Sequence, residues 1–253
     1  MDPLLARWGT VRLLGLDLAD ASLAEVAEAL ARRPPEMQFS YVVTPNADHF
    51  ARLARQSDRF LHYYASAGAL LLDSRVVSRL GSAVGLRVPP VVTGSDLTAE
   101  LFEHWIALDE PVTIIGTTAE SVAHLVRTYS LTRVAHFAPP FGFETNSQIV
   151  DQCVQFVRTH PARFVFLACG APRQELLAHR IVETGGASGI GLCVGAAIDQ
   201  IGGSETRAPK WMRSAGLEWS WRLLHEPRRM GLRYFRDLAI LPALIRERLG
   251  ARH

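Results

Sequence analysis

Short apolar runs alternate with helix-length amphipathic stretches through about the first 200 residues, and this alternation constrains the fold most strongly. The runs are typical of strands buried on both faces, because most of their residues are apolar. In residues 22–33, Leu23, Val26 and Leu30 recur at helical spacing behind Ser22, a helix-capping residue type. We therefore expect an α/β fold with a mostly parallel sheet and helices on both faces. The predicted strands are residues 11–16, 39–45, 69–72, 111–116, 133–139, 163–169 and 191–197, and the predicted helices include 22–33, 119–129, 146–160 and 171–186.

Polar residues and glycines follow most of the predicted strands. In parallel α/β sheets, ligands bind beyond the carboxyl ends of the strands, so these positions are candidate site residues. Asp73, for example, ends an apolar run, and it is either part of a strand-end turn or a catalytic base at the mouth of a site. The strand-end positions are Thr44, Pro45, Asn46, Asp73 and residues 116–118, 139–142, 170–175 and 197–199.

Two of these segments have the shape strand, glycine, helix. In "FLACGAPRQE" (166–175), the proline can begin a helix, and a helix start offers N–H groups and a positive dipole end to a phosphate. Gln174 and Glu175 there can orient a sugar, or they can simply cap the helix. "TIIGTTAES" (113–121) is interpreted as a plain turn or as a nucleotide contact. Neither G-x-G-x-x-G nor a P-loop occurs in the chain.

The segment "TPNADHF" (44–50) leaves two interpretations open. Thr44 and Asn46 carry donors and acceptors that suit sugar hydroxyls or a base edge, whereas a Pro-Asn turn would be purely structural. We interpret His49 as a solvated or structural histidine. The segment "VVTGSDLTAEL" (91–101) is either a helix capped by Asp96 or a glycine-hinged contact loop, and we favour the structural interpretation.

The carboxyl-terminal residues differ from the rest in charge. Residues 207–253 contain 11 Arg or Lys against 4 Asp or Glu, a net charge of +7, whereas the whole chain has a net charge of only +2. Arg229, Arg233 and Arg236 would share one face of a helix, which indicates a surface for anionic lipid or another polyanion. A helix packed on the body with solvated arginines is the alternative. We divide the chain into an α/β domain at 1–206 and a basic helical appendage at 207–253.

Several classes of function are disfavoured. The three cysteines lack C-x-x-C spacing, so we expect reduced, structural thiols. The histidines show no metal-ligand spacing, and we expect no metal and no cofactor. We see neither a signal peptide nor a transmembrane run, so a cytosolic location is expected. The acidic body argues against a nucleic-acid partner.

Taken in order, the motifs resemble those of the WecG/TagA/CpsF glycosyltransferases, also called glycosyltransferase family 26. The likeness extends from about residue 10 to about residue 236, and the motifs that carry it are "TPNADHF", the apolar run ending in Asp73, "TGSDL", "GAPRQE", "VGAAID", "RAPKW" and "GLEWSWRLLHEPRRMGLRY". It implies a Rossmann-like fold with a membrane-associating helical appendage. It also implies an enzyme on the cytoplasmic face of the bacterial plasma membrane. This enzyme would transfer glucose, N-acetylmannosamine or its uronic acid from a UDP-sugar to a polyprenyl-diphosphate-linked sugar, with inversion.

The resemblance carries roles to individual residues. Asp73 matches the family's proposed catalytic base, and Ser74 stands where a glycine commonly follows that base, which narrows the backbone conformations available there. The remaining candidates are substrate-binding Thr44, Asn46, Gly116, Gly170, Pro172, Gln174, Glu175, Asp199 and Arg207, and lipid- or diphosphate-binding Arg222, Arg229 and Arg233.

Two other functions remain as alternatives. A nucleotide-dependent oxidoreductase could use the same fold, although the glycine fingerprint is absent. A non-catalytic protein could bind a membrane surface through the basic appendage. Neither the donor sugar nor the oligomeric state follows from the sequence, and a homo-oligomer stays open.

Overall fold

The computed structural model describes residues 7–201 and 240–250, and a six-stranded parallel sheet is its centre. The strand order is β4-β3-β8-β7-β5-β6, and every neighbouring pair is parallel. The predicted α/β fold with helices on both faces is confirmed. The sheet strands are β3 (Ser40–Val43), β4 (Ala69–Leu70), β5 (Val112–Gly116), β6 (Val134–Phe137), β7 (Phe164–Ala168) and β8 (Ile190–Cys193).

Helices connect these strands and cover both faces of the sheet. The four predicted helices are all present, with ends within two residues of expectation. The helices are α1 (Leu23–Ala31), α2 (Ala47–Ala65), α3 (Arg75–Ala83), α4 (Gly94–His104), α5 (Ala119–Tyr129), α6 (Ser147–Thr159), α7 (Arg173–Thr184), α8 (Ala197–Ile201) and α9 (Leu241–Gly250), with a 3₁₀ turn at Phe143–Thr145.

The first predicted strand is wrong as a member of the sheet. Residues 11–16 contribute to two short antiparallel strands, β1 (Thr10–Leu13) and β2 (Leu16–Ala19), which form a separate hairpin. Leu14 and Gly15 both have positive φ, as a two-residue hairpin turn requires. The turn therefore divides an apolar run that looks continuous in the sequence.

Both faces of the sheet are apolar, and each packs against its own core cluster. In β7, Phe164 and Phe166 belong to one cluster, whereas Val165 and Leu167 belong to the other. All four side chains are fully buried. This two-sided burial explains why the strands appear in the sequence as uninterrupted apolar runs.

The cysteines lie in this core as free thiols, as predicted. Cys153 and Cys193 are buried and Cys169 is partly buried. Burial raises the pKa of the Cys153 and Cys169 thiols to about 12, so both stay protonated at neutral pH. These thiols act as small core side chains.

The last described helix, α9, packs against α3 and closes one end of the body. Leu244 is fully buried, and the Glu247 carboxylate accepts a hydrogen bond of 2.7 Å from the Leu14 N–H in the hairpin turn. None of the described helices is both long and apolar enough to span a bilayer. The predicted boundary at 206/207 lies outside the described residues and stays a prediction.

We predict that Gly116→Ala destabilises the fold more than Gly142→Ala. Both glycines have positive φ, which costs an L-residue about 1–2 kcal/mol. At Gly116, a Cβ would also lie 2.6 Å from the Ala168 carbonyl oxygen, whereas a Cβ at Gly142 meets nothing within 4 Å. Overpacking adds about 1–3 kcal/mol at Gly116 alone. Urea unfolding of the two variants measures the difference, and equal losses would contradict the close approach of β5 to β7.

Candidate active site

Asp73 lies half-buried beyond the carboxyl end of β4, at the edge where the other parallel strands also end. Its backbone N–H donates to the Pro45 carbonyl at 2.8 Å. Its Oδ2 accepts a hydrogen bond of 3.1 Å from the N–H of Gly94, the first residue of α4. The positive end of the α4 dipole and this bond both orient the carboxylate.

A glycine at position 94 lets α4 approach the ends of β3 and β8. A Cβ there would lie 3.2 Å from Thr44 Oγ1 and 3.4 Å from Val194 Cα. The Thr44 hydroxyl is buried and donates to the Cys193 carbonyl at 3.2 Å. Thr44, Asp73 and the loop after β8 are thus brought together, as the sequence predicts for strand-end residues.

The backbone conformation of Ser74 shows whether this position, where the family commonly has glycine, requires a glycine. Its φ is −155°, which is extended backbone open to any residue. The Ser74 side chain accepts a hydrogen bond of 3.1 Å from the Val77 N–H and thereby caps α3. The serine therefore has a structural role, and the chain direction after Asp73 does not need glycine.

Asn46 is half-buried and caps α2, which begins at the next residue. Its Oδ1 accepts the Asp48 N–H at 3.0 Å and lies 2.9 Å from His49 Nδ1. The structural interpretation of "TPNADHF" is therefore correct as far as the cap is concerned. Because both bonds use Oδ1, the amide N–H₂ group remains as the donor available to a ligand.

Gln174 and Glu175, predicted as substrate contacts, lie below the surface. Gln174 is 3% exposed and Glu175 is fully buried. Gln174 Oε1 accepts the Gly195 N–H at 2.9 Å, and its Nε2 donates to Glu175 Oε1 at 2.8 Å. Only the second Nε2 hydrogen of Gln174 is left for a ligand.

The segment leading into α7 has the predicted shape. Gly170 adopts a φ of +72°, and the Ala171–Pro172 peptide is cis. Pro172 occupies the cap position of α7 without a side-chain cap bond. The Gln174 N–H donates to the Gly170 carbonyl at 3.2 Å, so an anion of the kind expected from the sequence would bind to the other N–H groups at this helix start.

Gly116 and Asp199 are linked through Thr117. The Thr117 hydroxyl donates to the Asp199 carboxylate, and Thr117 itself has a φ of +55°. A left-handed threonine is strained, and such residues cluster at functional sites. No sequence pattern indicates Thr117 specifically, since a left-handed backbone at a threonine leaves no compositional signal.

The contact between Thr117 and Asp199 lies near the switch point of the sheet. After β5 the chain continues to β6 on one side, whereas after β7 it continues to β8 on the other side. Ligands of open α/β sheets bind at such a point.

His49 and Glu175 form a buried pair that the sequence analysis missed. His49 is 5% exposed, so the solvated interpretation is wrong and the structural one is correct. His49 Nε2 lies 3.3 Å from Glu175 Oε1. Glu175 Oε2 has no hydrogen-bond partner among the described residues. A buried polar atom left in this state costs about 1–3 kcal/mol, so stability alone does not account for the carboxylate.

Neighbouring phenols stay neutral around this carboxylate. Burial raises the pKa of the Tyr41 and Tyr64 hydroxyls, and the nearby Glu175 carboxylate raises both pKa values further. Both tyrosines therefore act as hydrogen-bonding groups and not as anions at neutral pH.

The described residues hold one arginine at the site that the sequence analysis did not single out. Arg173, the first residue of α7, stacks over the ring of Phe141 at 4.7 Å. Phe141 belongs to the predicted 139–142 segment and is 93% exposed. The predicted arginines Arg207, Arg222, Arg229 and Arg233 lie outside the described residues and stay predictions. Among residues 7–201 and 240–250, no three His, Cys, Asp or Glu side chains form a group that could hold a metal ion.

The fold is that of a Rossmann-like α/β protein, and its candidate site lies beyond the carboxyl ends of the parallel strands. The model of the "Glycosyl transferase WecG/TagA/CpsF family" matches residues 11–253, and the chain belongs to this family. The resemblance seen in the sequence is confirmed. The chain is therefore a glycosyltransferase of polysaccharide biosynthesis, and membership implies a nucleotide-sugar donor and a lipid-linked acceptor in general.

We predict that two substitutions separate the capping role of Asn46 from ligand binding. Asn46→Ala removes the cap and lowers the free energy of unfolding by about 0.5–2 kcal/mol. Asn46→Asp keeps an oxygen that caps equally well, so its stability stays near the parent value, but it lacks the amide N–H₂ group. Urea unfolding and glycosyl-transfer rates measure the two effects. Full activity in Asn46→Asp would show that the amide serves only the helix.

Proposed function

We propose that this chain is an inverting glycosyltransferase. It transfers a hexose from a UDP-sugar to a polyprenyl-diphosphate-linked sugar at the cytoplasmic face of the membrane, without a metal ion. Asp73 is the general base. The observation that carries the proposal is the half-buried Asp73 carboxylate, which the Gly94 N–H orients at the strand edge where Thr44 and Asn46 also lie.

In this mechanism, one displacement forms the new bond and inverts the sugar. The acceptor hydroxyl oxygen attacks C1 of the donor sugar, while Asp73 takes the proton from that hydroxyl. The bond from C1 to the UDP oxygen breaks at the same time, and UDP leaves with the electron pair. A positioned general base contributes about 10²–10⁴-fold in rate.

The leaving diphosphate needs positive charge as the bond breaks, and two described features can supply it. The start of α7 offers backbone N–H groups at the positive end of its dipole. Arg173 adds a guanidinium, a planar and permanently charged group suited to diphosphate. Arg207, Arg222, Arg229 and Arg233 are proposed to add to this field.

A groove of about 1010 Å³ supports a place for the lipid-linked acceptor. Three arginines line it, and the Nε of Arg52 has no hydrogen-bond partner among the described residues. Asp48 also lines it, and its N–H donates to Asn46, so the groove adjoins the strand-end residues. Apolar side chains suit a polyprenyl chain, and arginines suit its diphosphate. The arginines are Arg12, Arg52 and Arg55, and the apolar lining includes Leu14, Leu16, Phe50, Leu53, Leu61 and Ile240.

We predict that Asp73→Asn lowers transfer by about 10²–10⁴-fold, because the amide cannot accept the proton. The substitution keeps an oxygen that can accept from the Gly94 N–H, so the fold and UDP binding persist. Product mass measured with a panel of UDP-sugars and a lipid-linked acceptor reports transfer, and calorimetry reports UDP binding.

Asp151→Asn is the matched control for this substitution. Asp151 lies exposed on α6, and its one ion pair with a described residue is a long contact of 3.5 Å with Arg180, so its neutralisation should leave transfer unchanged. Turnover of Asp73→Asn near the parent rate would overturn the role of the base.

We predict that the double variant Arg52→Gln, Arg55→Gln raises the KM for the lipid-linked acceptor about tenfold or more. A hydrogen bond to a charged group contributes about 1.5–3 kcal/mol, and about 1.4 kcal/mol corresponds to tenfold. The KM for the UDP-sugar should stay constant, as should the use of a water-soluble acceptor without diphosphate.

Arg79→Gln, on the exposed side of α3 and outside the groove lining, is the control for loss of positive charge. If the double variant weakened the two substrates equally, the groove would not be the acceptor site.

A further inference from the structure

His49 and Glu175 connect two loops of the site through buried side chains. The residues are separated by 126 positions, and their helices α2 and α7 follow β3 and β7, which lie on either side of β8. Glu175 Oε1 accepts from Gln174 Nε2 at 2.8 Å and lies 3.3 Å from His49 Nε2. His49 contacts the Asn46 side chain and Glu175 contacts the Gln174 side chain, and both of these amides keep an N–H that no described residue uses.

Backbone donors fix which way each amide points. The Asp48 N–H donates to Asn46 Oδ1, so the other amide atom of Asn46 is the nitrogen. The Gly195 N–H donates to Gln174 Oε1, so Gln174 presents its nitrogen to Glu175. These bonds remove the usual ambiguity between amide oxygen and nitrogen.

The oxygen of Asn46 then decides the protonation of His49. His49 Nδ1 lies 2.9 Å from Asn46 Oδ1, which can only accept, so Nδ1 carries a proton. The Asn46 backbone N–H lies 3.3 Å from the same Nδ1, and it would need the ring nitrogen as an acceptor. One nitrogen cannot do both, and the shorter distance favours donation by Nδ1. The other ring nitrogen, Nε2, faces Glu175 Oε1 at 3.3 Å.

We infer that His49 and Glu175 are a positioning pair that holds the Asn46 and Gln174 side chains, with each amide oxygen bound by a backbone N–H and an amide N–H left for an oxygen-rich ligand. This inference rests on the proposed function, because the ligand is the UDP-sugar or its acceptor. Neither residue touches the ligand in this account. Each acts through the amide that it holds.

The pair explains two features that a purely structural network leaves unexplained. A core held together for stability alone would match both oxygens of a fully buried carboxylate, whereas Glu175 uses one of them within residues 7–201 and 240–250. The single oxygen that it uses receives both Gln174 and His49, so one atom sets the position of both amides. The network thereby ties together the loops after β3, β7 and β8.

A double-substitution cycle between His49 and Asn46 tests the inference. His49→Phe keeps a ring that can preserve the edge contact with Tyr64 but removes both nitrogens. We expect kcat for transfer to the lipid-linked acceptor to fall about 10–100-fold, as expected for a misplaced contact group. In the Asn46→Ala background, the same substitution should cost several-fold less, because the group that it positions is already gone. Equal losses in both backgrounds would overturn the inference.

His62→Phe is the matched control, since it makes the same change on an exposed face of the same helix. It should leave kcat and KM unchanged. Should His49→Phe fail to fold, His49→Leu, which also lacks both ring nitrogens, replaces it in the same cycle, with the same two outcomes.

A second measurement does not depend on the reaction. Nitrogen-15 NMR of the full-length chain should show a proton on Nδ1 of His49, and Asn46→Ala should shift that signal. A His49 protonated only on Nε2 would overturn the inference. Loss of the proposed function would appear differently, as absence of sugar transfer by the parent chain with the histidine signal unchanged.

Discussion

Burial of the parallel sheet on both faces is the constraint from which the rest of the structure follows. Since helices cover the two faces, the chain can present polar groups to a ligand only at the edges where strands end. All six strands run in the same direction, so their carboxyl ends meet at one edge. Asp73, Thr44 and Asn46 lie at that edge, just beyond strand segments that are mostly apolar.

Helix caps make the site rigid. Side chains cap the starts of several helices near that edge, among them Asn46 for α2, Ser74 for α3, Thr93 for α4 and Thr118 for α5. Each cap fixes the backbone just where the chain leaves the sheet. The side chains beside these caps are therefore oriented before any ligand arrives, which suits electrostatic stabilisation of a short-lived charge.

The sequence predicts a helix or strand well where its apolar residues keep one spacing along the whole element. Helix α5 has the expected bounds, 119–129, and β5 differs by one residue, because turns and caps delimit both. The hairpin at β1 and β2 was missed since its turn interrupts an apolar run without any polar residue. The cap of α4 is Thr93 and not Asp96, because the helix starts earlier than its acidic residue suggests.

Some residues of the candidate site could likewise be predicted from local sequence, and others could not. Asp73, Thr44 and Asn46 follow strands directly, so the position of each is readable from a local pattern. The bond between His49 and Glu175 joins residues 126 positions apart, and no local periodicity encodes it. The strained Thr117 and its contact with Asp199 likewise depend on how two distant loops approach each other.

Strand β8 is the last of the sheet in the sequence, yet it lies between β3 and β7. Before residues 190–193 leave the ribosome, β4-β3 and β7-β5-β6 have no ladder that joins them. Each half then exposes an unpaired strand edge, which is prone to association with other chains. Closure of such distant pairings is slow. The strand-end edge that carries the candidate site is therefore completed late in synthesis, and until the final strand is inserted the newly made chain exposes edges to which other chains can add.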